Sequence, residues 1–375
     1  MTKKILLSVS NDLLYDQRVN KVCNSLVDMG FDVLLVGVKK KHSAELPKRK
    51  YKMVRLGNIF SKGILFYAEL NVRLFFYLLF KKCDVLLAND LDTLLPNVLI
   101  SRLKKKELVY DSHEYFTEVA ELVARPKKQA VWKRIERYCF PKLKHIITVS
   151  DSIADIYSNE YGKEVKVVRN IPLQRNYEVR KTKSELNLPE NKHILMLQGT
   201  GINIHRGAEE LIEAMQYIHD TVLLVIGGGD VIPLLKNKTK ELFLEDKVLF
   251  MSRMPFEELY NYTVCADIGF SLDKDIGINH RYALPNKLFD FVRARVPVIV
   301  SDLVEIKKIV EQYDIGIVLP DGSPQTIARY TNDLLQDHDK YNRLKTNTIR
   351  ASEELCWENE ETVLKSVYLN MLFSG

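Results

Sequence analysis

A chain of 375 residues is long for one hydrophobic core and predicts two or three domains. Its 46% apolar and 28% charged residues exclude a disordered or low-complexity protein. A net charge of +6 suits an anionic partner (a nucleotide, a sugar phosphate or an acidic membrane surface) without selecting among them. The cysteines Cys23, Cys83, Cys139, Cys265 and Cys356 are scattered, with no CxxC pair. That argues against a disulfide framework or a zinc site and for a reducing, cytoplasmic setting.

In chain order, Met1 to Lys4 runs directly into the apolar Ile5–Val9, which reads as a first strand because the run is too short for a secretory signal. Short β-rich runs follow at Asp32–Val38, Asp84–Ala88, Glu107–Tyr110, Ile146–Val149 and Val165–Arg169. Amphipathic stretches separate them, such as Gln17–Met29 closed by Gly30. Ile64–Phe80 is the most apolar stretch, but it contains Glu69, Asn71 and Arg73. A spanning helix needs about 20 nearly uncharged residues, so a buried domain helix is expected. A polar, proline-bearing pause over 172–190 precedes a second alternating series: His193–Gln198, Val222–Ile226, Val248–Met251, Ile268–Leu272, Val298–Val300 and Ile315–Leu319. Thr331–Phe373 is helical throughout. Alternation of this kind predicts two α/β domains, each with a parallel sheet. Open parallel sheets bind ligands at the carboxyl ends of their strands, so residues following each strand are the site candidates.

The loop after the first strand, Ser10–Val19, lacks the GxGxxG pattern, which disfavours a nicotinamide or flavin cofactor. Within it, Asp16 reads equally as a helix N-cap and as a site residue. Asp90 and Asp92 resemble a metal-binding DxD pair, but two carboxylates opening a helix read first as caps. His113 follows a strand beside acidic residues, where a proton-sharing imidazole suits chemistry better than packing. The basic segment 126–144, with Trp132 and Tyr138, fits contact with an anionic membrane and fits a solvated helix face equally well. No nucleic-acid motif accompanies it.

In the second half, Gly199, Thr200 and Gly201 form a loop that lets backbone approach a ligand, and Arg206 precedes a predicted helix over Gly207–Tyr217, a suitable place for a phosphate. Gly227 and Gly228 follow the next strand and either form a tight turn or complete a nucleotide cradle. The most informative segment is Ala283–Asp290. Pro285 starts a helix well, which places Asn286 and Lys287 in its first turn. Lysine there opposes the helix dipole at a cost of about 0.3–1 kcal/mol, a sign that a bound diphosphate would reverse. Asp290, one turn on, is placed to accept from ribose hydroxyls.

Together, Tyr110–His113, the Gln198–Arg206 loop, Ile226–Gly229, and Ala283–Asp290 leading to Pro297–Ser301 resemble the family-4 glycosyltransferases of GT-B fold. The likeness covers nearly the whole chain. It implies two Rossmann-like domains facing a central cleft, with a C-terminal helix crossing back to the first: an acceptor domain over 1–172, a donor domain over 173–355 and the returning helix over 356–375. It implies retaining, metal-independent transfer from a UDP- or GDP-linked sugar to a saccharide or lipid-linked saccharide. Polysaccharide or glycoconjugate synthesis would be the setting, in the cytoplasm or peripherally at the inner face of the membrane.

By the same likeness His113 approaches the donor sugar, Arg206 stands where a lysine contacts the diphosphate, and Asp290 stands where a glutamate holds the ribose. Arg253 lies in the turn before the base-contacting segment. Tyr282, Pro285, Asn286 and Leu288 complete the donor list. Asn11, Asp12, Asp16, Gln17, Arg18 and Asp90 fall on the acceptor side. Three positions depart from the family pattern. Tyr282 replaces the glutamate that usually touches the sugar, Asp290 shortens the second glutamate, and Thr200 replaces a basic residue whose charge Lys287 would supply. The rival readings are a nucleotide-sugar epimerase of the same fold, a two-lobed binding protein, and a degenerate transferase that only binds.

Overall fold

The structure is a computed structural model describing residues 2–14, 16–41, 43–174 and 181–373. The chain folds as two units, one comprising 1–170 with 359–375 and the other 171–358. Of the expected connecting stretch 172–190, residues 175–180 lie outside the described residues.

The first unit carries β1 (Lys4–Ser8), β2 (Asp32–Lys39), β3 (Lys52–Gly57), β4 (Val85–Asn89), β5 (Glu107–Ser112), β6 (His145–Thr148) and β7 (Val165–Val167). They form one parallel sheet in the order β3-β2-β1-β4-β5-β6-β7. The second carries β8 (His193–Gly199), β9 (Thr221–Gly227), β10 (Val248–Met251), β11 (Ile268–Ser271), β12 (Val298–Ser301) and β13 (Gly316–Leu319), parallel in the order β10-β9-β8-β11-β12-β13. Parallel neighbours need crossovers, and the helices that make them cover both faces. The strands are therefore apolar at successive positions. In the second sheet Ile194, Met196, Val222, Leu224, Val298 and Val300 enter one core, while the alternating Leu195, Leu197, Leu223, Val225 and Ile299 enter the other.

All the expected strands form, within a residue or two at their ends. β3 was not anticipated, because Lys52 and Arg55 break its apolar pattern. It is an edge strand whose structure comes from pairing with β2, Leu34 opposite Lys52 through Lys39 opposite Gly57.

The helix Gln17–Asp28 starts where Asp16 accepts from the Val19 N–H at 3.0 Å and stops before Gly30, whose φ of 96° suits glycine. The helix Gly63–Phe80 departs from expectation. It is long and apolar enough to cross a membrane, yet only 22% of that stretch is buried. Phe66, Leu70, Leu74 and Leu78 form its buried row, and the opposite side is exposed. By sequence the basic helix Pro126–Cys139 reads equally as a membrane contact and as a solvated face. Trp132, the residue best suited to anchor it in a membrane, packs edge-on against Tyr67 at 5.3 Å and Phe116 at 5.1 Å. Lys133 pairs with Glu118 at 2.6 Å.

The final helix, Trp357–Phe373, is tied into the first unit. The Glu360 carboxylate accepts from the Arg169 backbone N–H at 2.6 Å, from Nε at 2.8 Å and from Nη2 at 2.6 Å. Lys3 Nζ donates to the Met371 carbonyl at 2.6 Å, and Tyr368 meets Phe31 edge-on. Glu360 is 5% exposed, so Glu360→Ala strands both a guanidinium and a backbone N–H. The expected cost is about 2–4 kcal/mol, read as a lower denaturant midpoint with an unchanged m-value.

Candidate functional site

In each sheet the strand order reverses once, between β1 and β4 and between β8 and β11. The connections leaving these neighbouring strands run to opposite faces of the sheet, so the loops at their carboxyl ends separate and open a crevice. The chemistry-bearing side chains of each unit gather there.

In the second unit the loops after β8 and β9 are sewn together. Gly228 N donates to the Gly199 carbonyl at 3.2 Å, and Ile202 N donates to the Gly228 carbonyl at 2.9 Å. Gly227, at φ 140°, lies so close that a Cβ would sit 1.8 Å from the Gly199 oxygen, and one on Gly229 would sit 2.0 Å from the Ile202 oxygen. Gly227 and Gly229 are thus required by the packing of the two loops, which accords with the tight-turn alternative for Gly227. At Gly199 and Gly201 the nearest atoms to such a Cβ lie at 3.7 and 3.6 Å, so packing does not demand glycine there. Arg253 lies over Gly228 and donates to the Thr200 carbonyl, holding both loops from one side.

The charges converge on a residue the sequence reading did not single out. Asp273, just after β11, is 3% exposed. Its Oδ1 accepts from Arg206 Nη1 at 2.5 Å, and its Oδ2 lies 2.9 Å from Lys287 Nζ. Burial alone would raise its pKa, but Lys287 and then Arg206 more than reverse that and hold it below the ordinary carboxylate value. Ser301 Oγ donates to the Asp273 carbonyl at 2.6 Å and fixes the loop. Two cations thus face one buried anion, and the cluster keeps a positive excess.

Lys287 lies in the first turn of the helix Asn286–Arg293, as expected, although the helix itself starts one residue later because Pro285 is the N-cap residue. That first turn holds no acidic side chain, and no side chain caps it. The helix after Arg206 is shorter than expected, Ala208–Ala214, and its first turn already carries Glu209 and Glu210. Those carboxylates already offset its dipole, so of the two helix starts only the one at Asn286 is free of acidic side chains. A hollow of about 380 Å³ also borders Asp273, lined by Glu210, Asp275 and Asp302 together with Lys274, which pairs with Glu210 at 2.5 Å.

Asp290 is oriented by Gln198 Nε2 at 3.2 Å, and Gln198 in turn accepts from Thr263 Oγ1 at 2.9 Å. Tyr282 ends the short helix Ile278–Arg281 and is half-buried. Leu288 is corrected: its side chain is fully buried in the core and cannot touch a donor.

In the first unit His113 follows β5. Its backbone N–H donates to Asp90 Oδ1 at 2.8 Å, Nδ1 lies 3.5 Å from Asp90 Oδ2, and Nε2 lies 3.2 Å from Asn89 Oδ1 and 3.5 Å from Asp111 Oδ2. Burial opposes charge on this ring, but Asp90 and then Asp111 outweigh it and raise the pKa to about 9. At neutral pH His113 is therefore an imidazolium with both N–H groups facing oxygens. Asp111 is gripped by Arg18, Nε at 3.2 Å and Nη2 at 2.6 Å. Burial would raise Asp111, yet Arg18 and His113 hold it well below the usual range.

Three expectations change here. Arg18 is 3% exposed and bound to Asp111 and to the Val168 carbonyl, so it positions Asp111 and does not meet an acceptor. Asp90 stands at the start of the helix Leu91–Lys104 but makes no cap bond, because its carboxylate turns to His113. Its φ of 57° is strained for a non-glycine residue, by about 1–3 kcal/mol, and such strain gathers at functional sites. Asp92 is buried, and that burial, followed by the charge of Asp90, raises its pKa to about 7. Asn11 and Asp16 hold each other at 2.8 Å, Asp12 Oδ1 accepts from Leu14 N at 3.4 Å, and Gln17 is exposed. The cap role of Asp16 is the one observed.

The glycine geometry separates packing from ligand roles. Gly227→Ala should cost about 3 kcal/mol or more, or yield no soluble protein, whereas Gly201→Ala should stay within about 1 kcal/mol of wild type in thermal unfolding. The His113 shift also fixes a pH dependence. A pKa raised from 6.5 to about 9 gives stability that is complete below pH 6.5 and lost as pH rises through about 9. Unfolding midpoints measured between pH 6 and pH 10 should fall in wild type and fall less in His113→Gln.

Residues 17–171 match the family described as Glycosyltransferase Family 4, and residues 179–351 match Glycosyl transferases group 1. Over 251 residues the chain is 25% identical to the chitobiosyldiphosphodolichol beta-mannosyltransferase of Candida albicans, covering 60% of this chain and 53% of that protein. The chain thus spans about half the length of this curated relative. Among solved structures, sucrose-phosphate synthase from Thermosynechococcus elongatus superposes with a TM-score of 0.79 at 16% identity, covering 100% of both chains. Anabaena Alr3699/HepE in complex with UDP and glucose superposes at 0.73 and 14% identity, covering 98% of this chain and 100% of that one. These likenesses show the fold. With the two family matches in sequence order, the chain belongs to the family-4-like glycosyltransferases of GT-B fold.

Proposed function

We propose that the chain transfers a glycosyl group from a nucleoside diphosphate sugar to a hydroxyl of a saccharide or lipid-linked saccharide, with retention at the anomeric carbon. The observation that carries this reading is the meeting of Arg206 and Lys287 on Asp273, beside the uncapped first turn of the helix Asn286–Arg293. A diphosphate leaving group is the chemistry that needs such a place. Two cations and a helix N-terminus, already oriented, stabilise charge as it develops, and each such group is worth about 3–4 kcal/mol at a closed site. Asp273 holds both cations in position while the site is empty and leaves one positive charge for the incoming anion.

In this reading Asp290, oriented by Gln198, accepts from the ribose. The bond from the anomeric carbon to the diphosphate oxygen breaks, and a bond to the acceptor oxygen forms on the same face. The acceptor proton passes to the departing phosphate oxygen without a covalent protein intermediate, and Arg206 and Lys287 neutralise the diphosphate in the role a metal could otherwise fill. His113, an imidazolium donor at both nitrogens, is assigned to orienting the sugar. The name of the Candida relative specifies a lipid diphosphate acceptor, which supports a lipid-linked saccharide here. All five cysteines are free thiols, which fits a cytoplasmic setting.

Nucleoside diphosphates should raise the melting temperature, since a ligand at about 100 times its Kd stabilises by about 2.7 kcal/mol. Arg206→Ala and Lys287→Ala should lose most of that shift, and an unchanged shift would sink the diphosphate assignment. Donor sugars incubated without acceptor should release sugar slowly, with or without chelator. Epimer formation would instead select the epimerase, and unchanged donor a binding protein. The anomer of the product, read by NMR, tests retention.

A further inference from the structure

The first unit carries an apolar surface that its core does not use. On the helix Gly63–Phe80 the buried row recurs every fourth residue, and so does the row opposite it: Ile64, Ala68, Val72, Phe76 and Phe80. Of these Val72 is 57% exposed, Phe76 52% and Phe80 79%. The preceding loop adds Ile59, 79% exposed, and Phe60. That loop is built rather than loose, because the Glu69 carboxylate accepts the backbone N–H groups of both Ile59 and Phe60 at 2.9 Å and pairs with Arg73 at 2.7 Å. A groove of about 460 Å³ runs between the helix and the edge strand β3, lined by Leu56, Val72, Phe76, Tyr77 and Phe80.

The surface is rimmed by cations. Across 59–82 the cationic side chains are Lys62, Arg73, Lys81 and Lys82, and the one acidic side chain is Glu69, already paired. At the far end Lys104 Nζ closes the helix by donating to the Leu78 and Lys81 carbonyls at 2.9 and 2.8 Å, while Lys81 and Lys82 stay exposed. The helix cannot leave the fold to span a bilayer without giving up its buried row and the bond from Asn71 Nδ2 to the Asp92 carbonyl.

We propose that this face docks on an anionic lipid bilayer, with the helix lying in the headgroup plane along a row about 24 Å long. Charge decides the occupant. A second copy of the chain would bring the same cations against each other, whereas anionic headgroups neutralise them as the apolar row enters the acyl boundary. This surface, and not the basic helix 126–144 with its inward Trp132, is the membrane-facing one.

Flotation of the full chain with phosphatidylcholine vesicles, and with vesicles also containing phosphatidylglycerol, tests the proposal. Binding should require the anionic lipid and weaken with salt. Phe76→Ser with Phe80→Ser should reduce it at least about tenfold, and Lys81→Glu with Lys82→Glu similarly. Both pairs are exposed, so melting temperatures and nucleoside diphosphate shifts should hold, which separates this proposal from the donor site. Equal binding to neutral vesicles, no binding, or loss through Arg134→Glu but neither pair would overturn it. So would a lipid-free dimer, seen by ultracentrifugation, that Phe76→Ser with Phe80→Ser dissociates.

Discussion

The reversal of strand order in each parallel sheet is the constraint on which the rest depends. Parallel strands cannot be joined by tight turns, so every connection crosses a face of the sheet. Where the crossovers change face, β1 parts from β4 and β8 parts from β11 at their carboxyl ends. Loops there are not committed to the strand ladder and can bring charged side chains together. Asn89, Asp90, Asp111 and His113 collect at one reversal, and Arg206 and Asp273, joined by Lys287, at the other.

Buried carboxylates organise both places, and they do so differently. Asp273 is bound by two cations, so it holds the shape of the cluster and leaves it positive. Asp111 divides itself between Arg18 and His113, and with Asp90 it makes the histidine a cation at neutral pH. Removing either acid would leave buried positive charge without compensation, a far larger loss than the pairs contribute when intact. Such ion networks are weak evidence for stability, and their value here lies in pre-aimed donors.

The same logic of commitment distinguishes the surfaces. The helix Gly63–Phe80 spends one apolar row on the sheet and leaves a second outside, rimmed by cations. The basic helix Pro126–Cys139 turns its tryptophan inward and keeps a solvated basic face. Composition alone ranks these two segments in the opposite order as membrane contacts.

The alternation of apolar runs and amphipathic stretches, and the motifs at the strand ends, were enough to establish two parallel α/β sheets, because strands buried on both faces must be apolar throughout. The same reading singled out Arg206 and Lys287, which the structure brings together on one buried aspartate. It missed β3, whose charged residues become a strand only by pairing with β2 at the sheet edge. It missed Asp273, although it follows a strand, because nothing in a lone aspartate shows that two cations distant in sequence will meet on it. The family likeness placed Leu288 and Arg18 at ligand surfaces, but both are buried, since position in a motif does not reveal which way a side chain points. Local periodicity thus determined the elements and the loops that carry chemistry. Direction, burial and charge pairing were decided only when those elements packed, because they depend on neighbours brought from elsewhere in the chain.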